Sequence, residues 1–314
     1  MAEYGHDTTT DEVLDGIDLS GRRALVTGAS SGLGTETVRA LAAKGCAVTF
    51  TARDLDKGQA VVDQVRASTG NDDVEMMSLE LASLADVRRF AADYLSQHDR
   101  LDMLINNAGI MACPQGTTHD GFELQFGTNH LGHFLMTVLI APALLAADSA
   151  RIVALSSRAH HRSPMRFDDP WFSDGSYEKW TAYGQSKTAN ILFAVELQRR
   201  LAGRGVEAFA VHPGVIITEL GRHLTEEDIA AATAAAPGGV LRTKTYEAGA
   251  ATSVYAATAA ELAGRGGCYL EDCGVAEVDE TSSEHGVRSY ALDPAAAERL
   301  WAMSVDLVGA DLPA

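Results

Sequence analysis

Short apolar segments alternate with longer helical segments along most of this chain, and this alternation restricts the possible folds more than any other feature. The apolar segments lack the polar alternation of a half-exposed strand, which is typical of a parallel sheet buried on both faces. Strands are predicted at residues 24–27, 47–51, 74–79, 103–106, 151–155 and 207–212, and helices at residues 33–44, 56–67, 82–96, 121–146 and 181–202. The order predicts an α/β fold with one doubly wound parallel sheet and helices on both faces.

The alternation extends without a break over most of the chain and favours a single domain at residues 21–314. Residues 1–20 contain six acids and no Lys or Arg, which predicts a flexible or loosely docked acidic tail. Residues 158–180 carry two prolines and two tryptophans and are predicted to be an inserted loop, and the Ala-rich residues 218–245 are predicted to be a lid. The chain is predicted to end with a helix, a short strand and a helix, at residues 246–260, 268–270 and 294–308.

Charge and cysteine content exclude several classes of function. The formal net charge is -18, from 43 acids and 25 Lys and Arg residues, and no local basic cluster is evident, so nucleic acids and anionic membranes are not expected as partners. The four cysteines show no CxxC spacing, which predicts no metal site and favours a reducing, cytoplasmic location. No apolar window is long enough to predict a membrane span.

A glycine-rich turn, Thr-Gly-Ala-Ser-Ser-Gly-Leu-Gly at residues 27–34, follows the first predicted strand and opens a helix. Glycines allow a tight turn, while free amides and the positive end of the helix dipole attract a pyrophosphate, as in Rossmann-type domains. The spacing is G-x-x-x-G-x-G rather than G-x-G-x-x-G, so a purely structural turn is the alternative. The predicted cofactor contacts in this turn are Gly28, Ser30, Ser31, Gly32, Leu33 and Gly34.

Tyr183 and Lys187 lie four residues apart at the start of a predicted helix, so their side chains project from the same face one turn apart. A phenol has a reference pKa of about 10, and a fixed cation nearby favours the phenolate and moves that pKa towards neutrality. The pair therefore predicts a proton-transfer site with Tyr183 as acid/base. A surface tyrosine beside a solvated lysine is the alternative.

Four motifs occur in the order found in short-chain dehydrogenases/reductases, and the chain resembles that family from about residue 21 to residue 270. The motifs are the glycine turn, Asn106-Asn-Ala-Gly109, the Tyr183/Lys187 pair and His212-Pro-Gly214. The inserted loop and the segment Asn129-His-Leu-Gly-His-Phe134 are similar to the retinol-dehydrogenase-like branch. The resemblance implies an NAD(P)-dependent oxidoreductase with a Rossmann-type domain.

The resemblance implies cofactor contacts beyond the glycine turn. Asn107, Ala108 and Gly109 would border the adenosine ribose, although support of the sheet is an equal explanation for them. Glu80 and Leu81 would lie beside the adenine, where the family more often has Asp-Leu. The nicotinamide end would be held by Pro213, Gly214, the Ile216 backbone and the Thr218 hydroxyl.

The end of the second predicted strand bears on the choice of cofactor, because an acid there would bind the ribose 2′-hydroxyl and repel a 2′-phosphate. Ala52 takes that position and Arg53 follows it. A guanidinium can pair bidentately with a phosphate, so NADP(H) is the predicted cofactor. NAD(H) is the alternative, since a shift of one residue would bring Asp54 to the ribose.

The predicted catalytic residues are Asn129, Ser157, Tyr183 and Lys187. Ser157 lies at the carboxyl end of the fifth predicted strand, where its hydroxyl could donate to a substrate carbonyl oxygen. By resemblance, Lys187 also holds the nicotinamide ribose, and Asn129 kinks its helix and holds a water that links Lys187 to solvent. The predicted reaction moves a hydride between nicotinamide and a carbonyl carbon while Tyr183 transfers the proton.

The substrate is expected to be a small-molecule carbonyl or alcohol. Trp171, Phe172, Trp180 and Met111 would line a lipophilic pocket with the lid, or pack in the core instead. Two rival functions remain: reduction of an activated carbon–carbon double bond with the same tyrosine, and NADP sensing without catalysis. A homodimer or homotetramer is expected from the resemblance, with the helices at residues 121–146 and 181–202 pairing across a twofold axis.

Overall fold

The computed structural model describes residues 4–313, so the first three residues of the predicted tail and the last residue of the chain lie outside the described residues. The strands within this range are Arg23–Val26 (β1), Ala47–Ala52 (β2), Val74–Ser78 (β3), Met103–Asn106 (β4), Ala150–Leu155 (β5), Val206–His212 (β6), Tyr269–Glu271 (β7) and Gly274–Val275 (β8). They form one sheet in the order β3-β2-β1-β4-β5-β6-β7-β8, parallel except for the β7–β8 pair. The strand order reverses between β1 and β4, which creates the crevice where ligands bind in doubly wound sheets.

The helices of the described residues cover both faces of the sheet. They are Thr10–Val13 (α1), Gly32–Ala42 (α2), Leu55–Thr69 (α3), Leu84–Gln97 (α4), Leu124–Phe126 (α5), Gly132–Leu145 (α6), Lys179–Leu201 (α7), Glu226–Ala235 (α8), Tyr246–Thr258 (α9) and Pro294–Val308 (α10). One apolar cluster lies under α4, α6, α7 and α10, and a second lies under α2, α3 and α9. The predicted doubly wound α/β fold is confirmed.

Burial on both faces explains why the strands are continuously apolar. In β1, Leu25 packs into one cluster while Ala24 and Val26 pack into the other. All four residues of β4 are buried. Because each fully buried Leu or Val contributes roughly 1.5–3 kcal/mol, the two clusters fix the register of the central strands and hence the positions of the loops at their carboxyl ends.

The predicted helix at residues 121–146 begins three residues later than expected and contains a wider turn. The Glu123 side chain accepts hydrogen bonds from the backbone amides of Gln125 and Phe126, which caps α5. A π-helical segment, Gly127–Leu131, then precedes α6. The stretch Leu124–Leu145 is long and apolar enough to cross a membrane, but 83% of its 18-residue apolar window is buried inside the protein, as in a core helix.

The prediction of a flexible or loosely docked tail does not match the structure at residues 4–20. Val13 and Leu14 are buried, and the Thr10 hydroxyl donates to Glu36 on α2 at 2.5 Å. Two of the acids have local partners, since Glu12 completes a capping box with Thr9 and Asp11 pairs with Arg39 of α2 at 2.8 Å. Acids that indicated a mobile tail in the sequence thus serve to cap and dock a short helix.

The two irregular segments also contain more regular structure than predicted. α7 begins at Lys179, inside the predicted insertion at residues 158–180, and the predicted lid at residues 218–245 contains α8. α10 agrees with its predicted range and packs across α6 and α7, where the Trp301 ring lies 4.8 Å from that of Phe134 and 6.0 Å from that of Phe193. The chain's own helix therefore occupies part of the surface that the sequence suggested for pairing between subunits.

Candidate active site

The glycine turn between β1 and α2 adopts a backbone that side chains would obstruct. Gly28 and Gly32 have φ values of 66° and 64°. A Cβ at Gly28 would lie 2.7 Å from the Cβ of Ala108, and one at Gly34 would lie 2.6 Å from the Gly28 carbonyl oxygen. Ser31 caps α2 without a side-chain hydrogen bond, so the first amides of the helix remain available. Close backbone approach and free amides at a helix N-terminus fit the pyrophosphate of a dinucleotide.

Asn107 supports this turn from the end of β4. Its Nδ2 donates to the carbonyl oxygens of Thr27 and Gly28 at 2.8 and 3.1 Å. The Ala108 amide donates to the Thr27 hydroxyl at 3.0 Å. The structural role that the sequence left open for this motif is therefore present, and it shapes the turn where a cofactor would lie.

His133 links the glycine turn to the helix that carries Asn129. Its Nδ1 lies 3.0 Å from the Asn129 carbonyl oxygen, which can only accept, so the proton is on Nδ1. Nε2 then accepts from the Thr27 hydroxyl at 2.8 Å. Burial lowers the pKa of His133 to about 4, so the ring stays neutral. In the sequence, the i+4 spacing of His133 from Asn129 was the available signal of a link to the site.

The adenosine end of the crevice lies beyond β2 and β3. The Arg53 side chain is 63% exposed and its Nη1 lies 3.5 Å from Oε2 of Glu80. Leu81 is buried, and a Cβ at Gly132 would contact its backbone oxygen, so α6 passes directly beside this loop. Arg53 and Glu80 also line a cavity of about 350 Å³.

The segment predicted to hold the nicotinamide follows β6 and leads into the lid. Gly214 has a φ of 95°, and a Cβ there would lie 2.7 Å from the buried side chain of Lys244. Lys244 is held in turn by Asp272, at 2.6 Å. The start of the lid touches the glycine turn, since a Cβ at Gly32 would lie 3.5 Å from Cγ2 of Thr218. The other members of this predicted segment, Pro213 and Ile216, are half-buried in the same loop.

Tyr183, Ser157 and Lys187 come together at the carboxyl edge of the sheet. Tyr183 is only 3% exposed. The Ser157 hydroxyl faces the phenol and favours its ionised form. Lys187 Nζ lies 5.5 Å from the centre of the Tyr183 ring and donates a hydrogen bond to the Leu155 carbonyl oxygen at 3.0 Å. Ser157, two residues after β5, and two residues of α7 thus form one compact polar group.

The electrostatics of this group differ from the prediction made from the sequence. Burial raises the pKa of Tyr183 above its usual value of 10.0, and the opposing contribution comes from Ser157 rather than from Lys187. Burial lowers the pKa of Lys187 to about 8. In the protein alone Tyr183 therefore holds its proton at neutral pH, which suits a group that donates a proton to a developing alkoxide.

Asn129 lies in the π-helical segment and ties three parts of the site together. Its Oδ1 accepts from the Ile110 amide at 2.9 Å, and its Nδ2 donates to the Ile110 carbonyl oxygen at 2.9 Å and to the Ser186 hydroxyl at 3.0 Å. Ser186 donates onward to the Tyr183 carbonyl oxygen at 2.8 Å. A Cβ at Gly109 would lie 3.3 Å from Asn129 Oδ1 and 3.7 Å from Lys187 Nζ, so this glycine leaves room between them.

The backbone of Ser157 is held by a histidine that the sequence did not single out. His160 Nδ1 donates to the Ser157 carbonyl oxygen at 2.8 Å, because its Nε2 accepts from the Arg288 amide at 3.2 Å. Arg288 belongs to the segment between β8 and α10. This segment lies outside the four motifs, so motif comparison could not reveal its contact with the site.

The aromatic residues of the insertion divide between the core and the site. Trp171 packs on Phe126 at 5.8 Å, and Phe172 is buried, so both serve the core. The ring of Trp180 lies 6.3 Å from that of Tyr183, and its Nε1 donates to Asp228 of α8 at 3.2 Å. Trp180 alone of these three aromatics joins Tyr183 to the lid. Met111, also predicted to line the pocket, is half-buried.

Residues 4–313 contain no group of three or more His, Cys, Asp or Glu side chains that could hold a metal ion. The four cysteines are free, and burial raises the pKa of Cys46, Cys113, Cys268 and Cys273. Neutral thiols are poor nucleophiles, so proton transfer at Tyr183 is the chemistry that this arrangement supports.

The lowered pKa of Lys187 predicts that stability rises with pH while activity falls. Its folded pKa of about 8 lies below the usual 10.5, so between these values the unfolded chain binds the extra proton and stability rises with pH. Over the same window kcat/KM for carbonyl reduction is expected to fall as the ammonium is lost. Both quantities should be measured in the wild type and in Lys187→Met. Equal pH dependence of the two proteins would contradict the assignment to Lys187.

Gly34→Ala is expected to destabilise the protein by about 1–3 kcal/mol and to weaken nucleotide binding, because the new Cβ would meet backbone atoms of Gly28 and Ala29 at 2.6 and 2.7 Å. The melting temperature and the Kd for NADPH measure the two effects. Gly5→Ala is the control, since its Cβ would meet nothing within 4 Å. Wild-type affinity in Gly34→Ala would show that close packing of this turn does not matter for binding.

The comparisons with known proteins agree with this geometry. A family model described as short chain dehydrogenase matches residues 22–229. Human retinol dehydrogenase 13 is 42% identical over 296 residues, which are 94% of this chain and 87% of the relative. A crystal structure of an uncharacterized protein from Mycobacterium paratuberculosis is 35% identical, with a TM-score of 0.74 over 96% of this chain and 98% of that one. The RhlG/NADP active-site complex of Pseudomonas aeruginosa is 26% identical, with a TM-score of 0.62 over 78% and 92% of the two chains.

Proposed function

This chain belongs to the short-chain dehydrogenase/reductase family, in its retinol-dehydrogenase-like branch, and from that premise we propose that it interconverts a lipophilic aldehyde or ketone and the matching alcohol with NADP(H). An NAD(P)-dependent oxidoreductase of carbonyls and alcohols follows from membership itself. We add the choice of NADP(H), the role of Tyr183 and the lipophilic class of substrate. The observation that carries the proposal is the convergence of Tyr183, Ser157 and Lys187 beside the glycine turn.

In this mechanism Ser157 donates a hydrogen bond to the substrate oxygen and so stabilises the negative charge that develops there. The bound reduced nicotinamide supplies the hydride. Tyr183 gives its proton to the same oxygen, and the Lys187 ammonium, buried below the ring, stabilises the phenolate that remains. Lys187 would also hold the nicotinamide ribose, while Asn129 keeps the π-helical segment and Ile110 in place. Alcohol oxidation uses the same residues in reverse.

The surroundings of Arg53 support NADP(H). Ala52 is the last residue of β2 and pairs with Ser78 of β3, so no acid occupies the end of this strand. The Asp54 carboxylate is engaged elsewhere, since it accepts from the Lys57 amide and caps α3. This capping role of Asp54, together with the exposed guanidinium of Arg53, supports NADP(H) over NAD(H). The RhlG relative, a complex with NADP, agrees with this choice.

The lid supports a lipophilic substrate. Val240 and Ile229 of the lid are 70% and 51% exposed, and Ile217, directly before the lid, is 80% exposed. These exposed apolar side chains on and beside the lid support an apolar ligand as the substrate class. Lys179 and Trp180, at the start of α7, both bond Asp228 on α8 and fasten the lid beside Tyr183. The free thiols fit a reducing compartment, so we place this activity in the cytoplasm.

The test is a panel of aldehydes, ketones and alcohols of increasing chain length, assayed with each cofactor at the absorbance band of the reduced nicotinamide. We expect turnover of carbonyls with NADPH, a lower KM for longer apolar chains, and a higher KM for NADH. Tight NADPH binding without turnover of any compound would instead support an NADP sensor. Equal KM values for the two cofactors would refute the NADP(H) preference.

A further inference from the structure

The cavity of about 350 Å³ at the adenosine end is lined by residues from the lid as well as from the sheet. Arg53 and Glu80 follow β2 and β3, whereas Arg222 and His223 belong to the lid, directly after the 3-10 turn Glu219–Gly221. His119, from the loop after β4, lines it too. In a chain of net charge -18, two arginines and a single acid, Glu80, therefore border one small space. This local excess of cationic side chains indicates an anionic ligand.

Arg222 has no acidic partner within residues 4–313: its only side-chain bond there goes from Nη1 to the Glu219 carbonyl oxygen at 3.1 Å. Arg53 has only the long contact of 3.5 Å with Glu80. Elsewhere on the lid Arg242 pairs with Asp7 at 3.2 Å. The guanidinium groups at the cavity thus keep most of their five donors free, as a phosphate-binding pair requires.

The wall of the cavity also contains a buried polar atom without a hydrogen-bond partner among the described residues. The Thr128 side chain lines the cavity and is 8% exposed, yet its Oγ1 has no hydrogen-bond partner in the part of the chain described. A buried hydroxyl without a partner costs about 1–3 kcal/mol, so such groups persist where a ligand or water completes them.

We propose that Arg222 binds the ribose 2′-phosphate of NADP(H) together with Arg53, so that this phosphate fastens the lid over the cofactor. The inference rests on the proposed NADP(H) dependence and adds a specificity residue on an element that is distant in sequence from β2. Arg53 after β2 and Arg222 on the lid then bind the 2′-phosphate from two sides. NADH lacks that group and would bind without the lid contact.

Arg222→Gln is expected to raise the Kd for NADPH at least about tenfold, as for loss of a charge-assisted hydrogen bond, and to leave the Kd for NADH nearly unchanged. Arg222 is exposed, so the variant should fold, and an unaltered melting temperature checks this. Arg242→Gln, an exposed lid arginine outside the cavity, is the matched control and should keep wild-type affinity. Arg222→Lys should fall between the wild type and Arg222→Gln, because charge is kept and the planar fork is lost.

Hydrogen exchange of α8 gives a readout that does not depend on activity. NADPH should slow exchange at Glu226–Ala235 in the wild type and in Arg242→Gln, but not in Arg222→Gln. NADH should slow it in none of the three. Unchanged NADPH affinity in Arg222→Gln, or equal losses for both cofactors, would overturn the inference while leaving the NADP(H) preference intact. Equal affinity of the wild type for both cofactors would refute that preference itself.

Discussion

Tyr183→Phe is expected to lower kcat for carbonyl reduction by about 100- to 10,000-fold, the usual contribution of a positioned general acid. The Kd for NADPH should change little, because the ring remains and only the hydroxyl is lost. Tyr183 is 3% exposed and lies beside Ser157 and Lys187. A water molecule therefore cannot readily replace its hydroxyl as the proton donor. Steady-state kinetics and a cofactor titration on the same sample measure the two quantities.

Tyr246→Phe is the matched control, since Tyr246 is 45% exposed at the start of α9 and should tolerate loss of its hydroxyl. A kcat of Tyr183→Phe within a few-fold of the wild type would remove Tyr183 from proton transfer. Loss of both cofactor binding and turnover would instead indicate a structural role for the phenol.

Lys187→Met is expected to lower kcat by at least about 100-fold and to weaken NADPH binding, without lowering the melting temperature. Lys187 is buried with one hydrogen bond, to the Leu155 carbonyl oxygen, and burial lowers its pKa to about 8. Removing a poorly paired buried charge relieves its desolvation cost, and methionine fills a similar volume. Activity and stability should therefore move in different directions.

Lys57→Met, at an exposed position on α3, is the control for loss of a positive charge and should leave both quantities near wild type. A marked fall in the melting temperature of Lys187→Met would show that Lys187 stabilises the fold, and the loss of activity could then follow from unfolding. Near wild-type turnover in a well-folded Lys187→Met would exclude the cation from the reaction.

Most of the fold could be predicted because it depends on local pattern. Continuous apolar strands such as β4, and turns with glycine at positive φ such as Gly28, leave few alternatives to a buried parallel sheet. The prediction of a flexible or loosely docked N-terminal tail does not match the structure, and the reason is physical. The acids of this segment cap α1 and pair with Arg39, and the pairing exists only because α2 packs beside them. A contact between elements cannot be read from the composition of one of them.

The candidate site likewise has features that local sequence pattern predicts and features that depend on contacts between distant elements. Motif order located Tyr183 and Lys187, the end of the fifth strand located Ser157, and the structure brings the three residues together. The direction of the Tyr183 pKa could not be predicted, because burial outweighs any neighbour and burial is a property of the packed site. Arg222 and Thr128 were missed for a related reason: they line one cavity with Arg53 although each lies in a different part of the sequence.

The most direct test of the account follows the hydride itself. NADPH that carries deuterium on the hydride-donating carbon of the nicotinamide should be incubated with the wild-type protein and an enone of medium chain length, and the product examined by mass spectrometry and nuclear magnetic resonance. Hydride transfer to a carbonyl carbon predicts an unsaturated alcohol with deuterium on the carbon that bears the hydroxyl. Deuterium at the carbon β to an intact carbonyl would contradict that account and assign the protein to reduction of carbon–carbon double bonds.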